Sequence, residues 1–292
     1  DALSHYDKFS KRRTEARFVR DGVEIQIGPE ALFRAAQLHE QKGTWPKAFE
    51  RLQLIAEAYT EYDFEKVADA LMKIAERLAK EKRPRKWGIL PRFRSGEQDR
   101  FRLNQIANLA RGPKYAPRAL MALAELARKA EETEEAIDAL ERLVNLYPES
   151  HFCEKAYFDL ASIHESAVAG PAYDQGSTLK ALNLYEDYLI LFETSPPKSK
   201  HETQEDFDAR TKAAKQRLLS AEEGRKRMRE VLSASKLLVG RYVEKYGKFF
   251  IIRWRELGDA PAKQFYGEAI TVAPDSDSAI EAKTRMEKLS KE

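Results

Sequence analysis

Two histidine–glutamate pairs, His39-Glu40 and His164-Glu165, begin as a zinc-hydrolase helix does. In such helices two histidines one turn apart hold the metal, and the glutamate beside the first activates water. The second histidine is missing from both: Gly43 and Val168 stand four residues on. His39 and His164 each follow a recurring alanine (Ala36, Ala161) by three residues, which places them on a helix face as packed or groove-lining side chains. No glycine loop ending in Lys-Ser/Thr is present to cradle phosphate, and no nucleophile elbow. The single cysteine, Cys153, leaves no partner for an internal disulfide and reads as a small, half-buried core residue. The expectation is a chain without catalytic residues, cofactor or metal site.

The remaining candidate chemistry is basic and aromatic. From Lys80 to Arg94 there are seven basic residues and one acidic one, with Trp87 and Phe93 between them. Cations interleaved with stacking rings could hold single-stranded nucleic acid. The segment is short and broken by Pro84 and Pro91, and the whole chain is close to neutral, with 51 Lys plus Arg against 48 Asp plus Glu. Nucleic-acid binding needs locally dense basic charge. The favoured reading is a loop whose aromatics tuck against the fold. A loop facing a partner or a lipid headgroup through Arg85, Trp87, Arg92 and Phe93 ranks second, and nucleic acid third. The run Arg225–Arg229 reads as the wet face of a long helix, paired with Glu222, Glu223 and Glu230.

Charged residues make up 34% of the 292 and apolar ones 42%, so each element needs a wet face and a buried one. No apolar run reaches the ~18 residues that span a bilayer. No signal peptide is present; the chain opens at Asp1 rather than at methionine, so a preceding stretch able to carry a targeting segment is expected.

The elements that must position these groups announce themselves by a recurrence of alanines. Ala36 is followed at +12 by Ala48, then Leu52 and Ile55, with Gly43 in the turn. Ala124 leads in the same steps to Ala136, Leu140 and Leu143, with Pro148 after them. Ala181, Tyr185, Tyr188 and Ala262, Tyr266, Ala269 repeat the later steps, the second closed by Pro274. Alanine is needed where two paired helices cross closely, large residues pack into the next pair, and proline ends the second helix. These offsets are those of the tetratricopeptide repeat of about 34 residues. The fold class is therefore all-α, a tetratricopeptide-repeat solenoid of about five helix-turn-helix units with a C-terminal capping helix.

Spacing places a further repeat between Ala48 and Ala136, with helices near 64–82 and 97–110 around the basic loop. An insertion, Ala169–Gly176, interrupts the fourth. Residues 202–257 read as helical and charged, with Gly240 and Gly247 as breaks. The last helix is placed near 278–290, capped by Ser278 with Glu281 completing a capping box. Residues 1–28 form an extension without a repeat, with turns at Asp21-Gly22 and Gly28-Pro29. The chain divides into 1–28, a substrate-groove half over 29–196, and a docking half over 197–292.

Certain stretches go beyond the generic repeat: Gly43–Ala48 (GTWPKA), Lys86–Phe93 (KWGILPRF), Tyr115–Ala119 (YAPRA), Leu146–Ser150 (LYPES), Gly170–Asp174 (GPAYD) and Ala273–Ser276 (APDS). In their order, and in the place of the insertion, the chain resembles the outer-membrane-protein assembly lipoproteins called BamD or YfiO over about residues 29–290. The resemblance implies a non-catalytic protein lipid-anchored on the periplasmic side of the outer membrane. Its partners would be unfolded barrel precursors and the membrane-embedded assembly barrel. Two features depart from that family: no lipid-bearing cysteine follows Asp1, and the fifth repeat is stretched by about ten residues around Phe249–Gly258. Another periplasmic scaffold for envelope or cell-wall coordination is the alternative, and a cytoplasmic protein- or RNA-binding repeat protein the third.

First helices of such repeats line the surface on which solenoids bind. Extrapolated onto this chain, that surface takes Phe33, Gln37 and Gln41 from the first repeat, Arg118, Met121, Glu125 and Arg128 from the third, and Phe158 and Ser162 from the fourth. Two readings stand side by side: these residues face a peptide, or they seal neighbouring helices.

Overall fold

The computed structural model describes residues 2–11, 16–20, 22–80, 85–86, 90–91, 96–194, 198 and 203–291. Two compact units divide at the third repeat's end, Asp1–Phe152 and Cys153–Glu292.

Unit 1 opens with α1 (Ala2–Lys11) and a two-stranded antiparallel hairpin, β1 (Arg17–Arg20) with β2 (Val23–Gln26). Gly22, at φ +77°, supplies the left-handed turn residue between the strands. Three helical pairs follow: α2 (Ile27–Gln41) with α3 (Trp45–Ala58), α4 (Phe64–Lys80) with α5 (Glu97–Leu109), and α6 (Ala116–Lys129) with α7 (Thr133–Leu146). A two-residue pairing of β3 (Arg85–Lys86) with β4 (Leu90–Pro91) lies between α4 and α5. The expected turn at Gly28-Pro29 is instead the first turn of α2. Proline is accepted there because that N–H has no helical acceptor.

The repeat pattern is the packing pattern. Ala36, Ala48, Leu52 and Ile55 are buried, as are Ala124, Ala136, Leu140 and Leu143. The turns match as well. Five residues before the second alanine stand Gly43 (φ +69°) and Glu131 (φ +63°), each in the left-handed region. In each turn the next amide reaches five residues back: Thr44 N to His39 O at 2.9 Å, and Glu132 N to Ala127 O at 2.9 Å. Such bonds satisfy carbonyls that a helix end leaves open. His39 is buried beneath the first turn, with Nδ1 2.8 Å from Thr44 Oγ1. The Thr44 hydroxyl gives its one proton to the His39 carbonyl at 3.1 Å, so the imidazole donates through Nδ1.

Unit 2 pairs α8 (Cys153–Ser166) with α9 (Gly176–Leu191) across the inserted loop. Cys153, expected to be half-buried, is fully buried. Then comes α10 (Gln204–Phe250), a single helix of 47 residues. The short α11 (Ile252–Leu257) leads to α12 (Ala260–Val272) and the closing α13 (Asp277–Leu289). The first half of α10 packs on α8 and α9, the second on α12 and α13. Besides α1, α11 and the two short strand pairs, the described residues thus form five helical pairs and a closing helix, with α10 and α12 as the fifth pair. This is the all-α tetratricopeptide architecture expected.

Two local expectations are overturned. Gly240 and Gly247 do not break the helix; both lie inside α10. Gly240 makes room for the Tyr266 ring and Gly247 for Trp254, each of which stands within 3.0 Å of where a Cβ would be. The cap of α13 is Ser276, not Ser278, so Glu281 completes no capping box. Ser276 Oγ accepts from Ala279 N at 3.2 Å and is held by Ser233 of α10 at 3.1 Å. Among the described residues no helix is long and apolar enough to cross a membrane.

Candidate functional surfaces

In unit 1 the first helices of successive pairs are stitched by polar contacts. Between α2 and α4, Glu30 accepts from Tyr62 at 2.8 Å and lies 4.0 Å from Lys66. Between α4 and α6, Arg118 reaches Glu76 at 2.5 Å and Tyr115 donates to Asp69 at 2.8 Å; Lys114 pairs with Glu65. Burial raises the Tyr62 hydroxyl above its ordinary range, and the Glu30 bond raises it further.

The groove candidates separate on this framework. Phe33 is buried, its ring 6.4 Å from that of Tyr62 and capped by Lys66 Nζ at 4.2 Å. Met121 is buried too. Gln37 is half-buried and accepts from Arg34 at 3.2 Å, while Gln41 is exposed. Arg118, Glu125 and Arg128 are exposed along α6. Phe158 and Ser162, in unit 2, are half-buried, and Phe158 packs edge-on against Tyr185 and Tyr188 at 6.3 and 5.8 Å. Arg85 lies in β3; Trp87, Arg92 and Phe93 lie outside the described residues. The helical period assigned faces, and it could not tell a sealed position such as Phe33 from an open one such as Gln41.

Unit 2 holds a surface that the sequence did not disclose. A cleft of about 620 Å³ has Met228, Val231 and Ala234 of α10 as its floor. One wall is Glu165, Val168 and Pro171, from α8 and the inserted loop; the other is Asp275–Ser278, the turn before α13. The Gly-Pro of the insertion and the Pro274-Asp275 turn are its only signals in the sequence, over a hundred residues apart.

Charge at the rim is tightly held. Arg227 donates to Glu165 through Nε at 2.6 Å and Nη2 at 3.2 Å, and Tyr185 donates to the same carboxylate at 2.5 Å. Burial opposes the charge on Glu165, but the Arg227 and Tyr185 bonds outweigh it and hold the carboxyl below its usual range. Arg229 pairs with Glu186 of α9 at 2.6 Å. The run 225–229 is therefore not simply a wet face paired along its own helix. The nearby Glu223 and Glu230 stand at 3.9 and 4.0 Å from Arg227 and Lys226, while the close partners come from α8 and α9. Deeper in, Glu154 accepts two bonds from Arg217, at 2.8 and 2.6 Å, and a third from Tyr188. Among the described residues no group of His, Cys, Asp and Glu is placed to hold a metal ion.

Comparison with known proteins adds one sequence match. Residues 118–150 match the family described as tetratricopeptide repeat, which covers α6 and α7, the pair with the fullest alanine pattern. No curated protein matches. Among solved structures the chain is similar to the crystal structure of MamA protein. The identity is 16%, the alignment covers 76% of this chain and 96% of that one, and the TM-score is 0.36. With the match over the third repeat and the same turn geometry in the first, the fold is an all-α architecture of the tetratricopeptide-repeat type.

Proposed function

We propose that the chain is a non-catalytic protein-binding scaffold of the outer-membrane β-barrel assembly kind, lipid-anchored on the periplasmic side of that membrane. On this reading it receives unfolded barrel precursors on the first-helix surface of unit 1 and meets the assembly barrel through its C-terminal part. The observation that carries the reading is the exposed row on α2 and α6. Gln41, Arg118, Glu125 and Arg128 are exposed to solvent, Arg118 while paired with Glu76, and the alanines and leucines behind them are sealed. Amide and charged side chains suit an extended ligand, because they bond its backbone without demanding one sequence. Phe33 and Met121 support that surface from beneath. Affinity is expected to be low, since an extended peptide loses conformational freedom on binding.

The test is a labelled peptide copying the final strand of an outer-membrane barrel, titrated against the whole chain. Gln37→Ala with Gln41→Ala should weaken binding, and Lys226→Ala on α10 should not. Crosslinks confined to residues 203–291, or equal binding of a scrambled peptide, would overturn the assignment.

A further inference from the structure

Along α10 one apolar strip runs further than the fold uses it. Val231 and Ala234 floor the 620 Å³ cleft. Continuing at steps of four, four and seven on the same side of the helix come Leu238, Tyr242 and Phe249, at 36%, 57% and 73% exposure. Val239 and Tyr246 flank them, and the Tyr242 and Tyr246 rings lie 5.2 Å apart. Upstream, this side packs on α9 through Ala221, Gly224 and Met228. Downstream, α12 takes the opposite side, at Gly240 and Val243, and leaves the strip in water. Steps of three and four sustained over several turns are the seam of one helix against another. From Val231 to Phe249 the strip is ~27 Å long at 1.5 Å per residue.

At the strip's outer end the exposed charge is mainly positive, whereas the cleft at its inner end carries Glu230, Asp275 and Asp277. Lys245, Lys248, Arg253 and Arg255 are exposed around the strip's outer end. Of the two acids there, Glu244 is held by Arg285 at 3.1 Å and by Tyr266, which leaves Glu256. Two copies packed in parallel would set cations against cations at the outer end, which disfavours that pairing. A bilayer would suit the aromatics and cations but is too flat to enter the cleft at the strip's inner end. A helix can lie along the exposed turns and lodge its end in that cleft.

We propose that this strip is the docking seat of an amphipathic α-helix with acidic flanks, supplied by a partner protein. The proposal rests on the scaffold reading of the fold and is independent of the barrel-precursor assignment to unit 1.

The probe is a labelled three-heptad peptide with leucine at the seam positions and glutamate beside them, with a counterpart carrying lysine beside the seam. Titrated against the whole chain, the acidic peptide should bind at least about tenfold more tightly than the basic one, and more weakly as salt rises. Tyr242→Ser with Phe249→Ser should lose about tenfold while the helical circular-dichroism spectrum and barrel-strand peptide binding persist. Equal binding of the two peptides, or an unchanged double variant, overturns the proposal. So does a concentration-dependent dimer that the double variant abolishes, which gives the seat to a second copy. Binding to phosphatidylglycerol vesicles through Tyr242 and Phe249, with none to the acidic peptide, gives it to a bilayer. Acidic-peptide binding with no barrel-strand binding sinks the proposed substrate alone.

Discussion

Gly240 lies beneath the ring of Tyr266, so close that a Cβ built on it would stand 2.5 Å from Cε1. Gly224 bears the same relation to Tyr185, at 2.5 Å from Cζ. The tyrosines sit at the same repeat position, four residues after Ala262 and Ala181, and each hydroxyl is tied to a carboxylate, Glu244 and Glu165. Neither ring can swing away without losing that bond. One long helix therefore receives two repeat tyrosines into two glycine notches, sixteen residues apart.

Alanine at Gly240 tests this arrangement. Helix propensity alone favours alanine over glycine by about 1 kcal/mol. Overpacking a filled contact costs about 1–3 kcal/mol and should prevail. Gly240→Ala is expected to lower the Tm. Gly267→Ala in α12, where a Cβ would meet nothing within 4 Å, should raise it. Opposite shifts establish the notch; a rise in both would show that Tyr266 yields.

The hairpin turns of the first and third repeats offer a second test. A Cβ at Gly43 meets nothing within 4 Å, so Gly43→Ala would be penalised only by its φ of +69°. The left-handed region costs a non-glycine residue roughly 1–2 kcal/mol. Glu131 already bears that strain at φ +63°. Calorimetry should find Gly43→Ala destabilised and Glu131→Gly neutral to stabilised. Loss of stability in Glu131→Gly would mean that the Glu131 side chain does more than occupy the turn.

These two positions mark what the sequence could and could not disclose. Ala48 and Ala136 recur because helix pairs cross there, and crossing distance limits side-chain size at every repeat, so a period shows it. Gly240 read as a break because its cause, Tyr266, is distant along the chain and enters only through packing. The cap of α13 was misplaced for a similar reason. The local pattern favours Ser278, with Glu281 three residues on, and the Ser233 contact that singles out Ser276 is tertiary. The cleft over Met228 and Val231 is assembled from three separate segments, and no window of sequence contains it.

Arg217 on α10 supplies two of the three bonds that satisfy Glu154. Arg217→Ala leaves a buried carboxylate with Tyr188 alone, which should cost about 1.5–3 kcal/mol because charged groups are expensive to leave unmet. Adding Glu154→Gln to that variant should recover part of the loss. Urea unfolding followed by tryptophan-independent circular dichroism would read it. Equal stability of Arg217→Ala and the double variant would show that Glu154 finds water instead.

Acid should loosen unit 2 through its carboxylates. The Arg227 and Tyr185 bonds depress Glu165 against burial; the Lys236 bond depresses Glu268, and the Arg285 and Arg241 bonds depress Glu281. A carboxyl whose pKa falls on folding binds fewer protons folded than unfolded, so stability must decline as pH falls. The contribution is complete above the ordinary value of 4.5 and disappears as pH drops through the lower, folded values. Glu165 reports it most directly, since it accepts from both Arg227 and Tyr185. At pH 7 Glu165→Gln should lower the Tm, because Arg227 loses its charged partner. As pH is taken below about 4.5 the gap between that variant and the parent chain should narrow, since the parent's carboxylate is then protonated as well. At 0.5 M salt the pH 7 gap should shrink too, because Arg227 is half exposed and its pairing is screened. A gap that stays constant from pH 7 to pH 3 would show that Glu165 stabilises the unit by shape alone and that its ion pair with Arg227 contributes nothing.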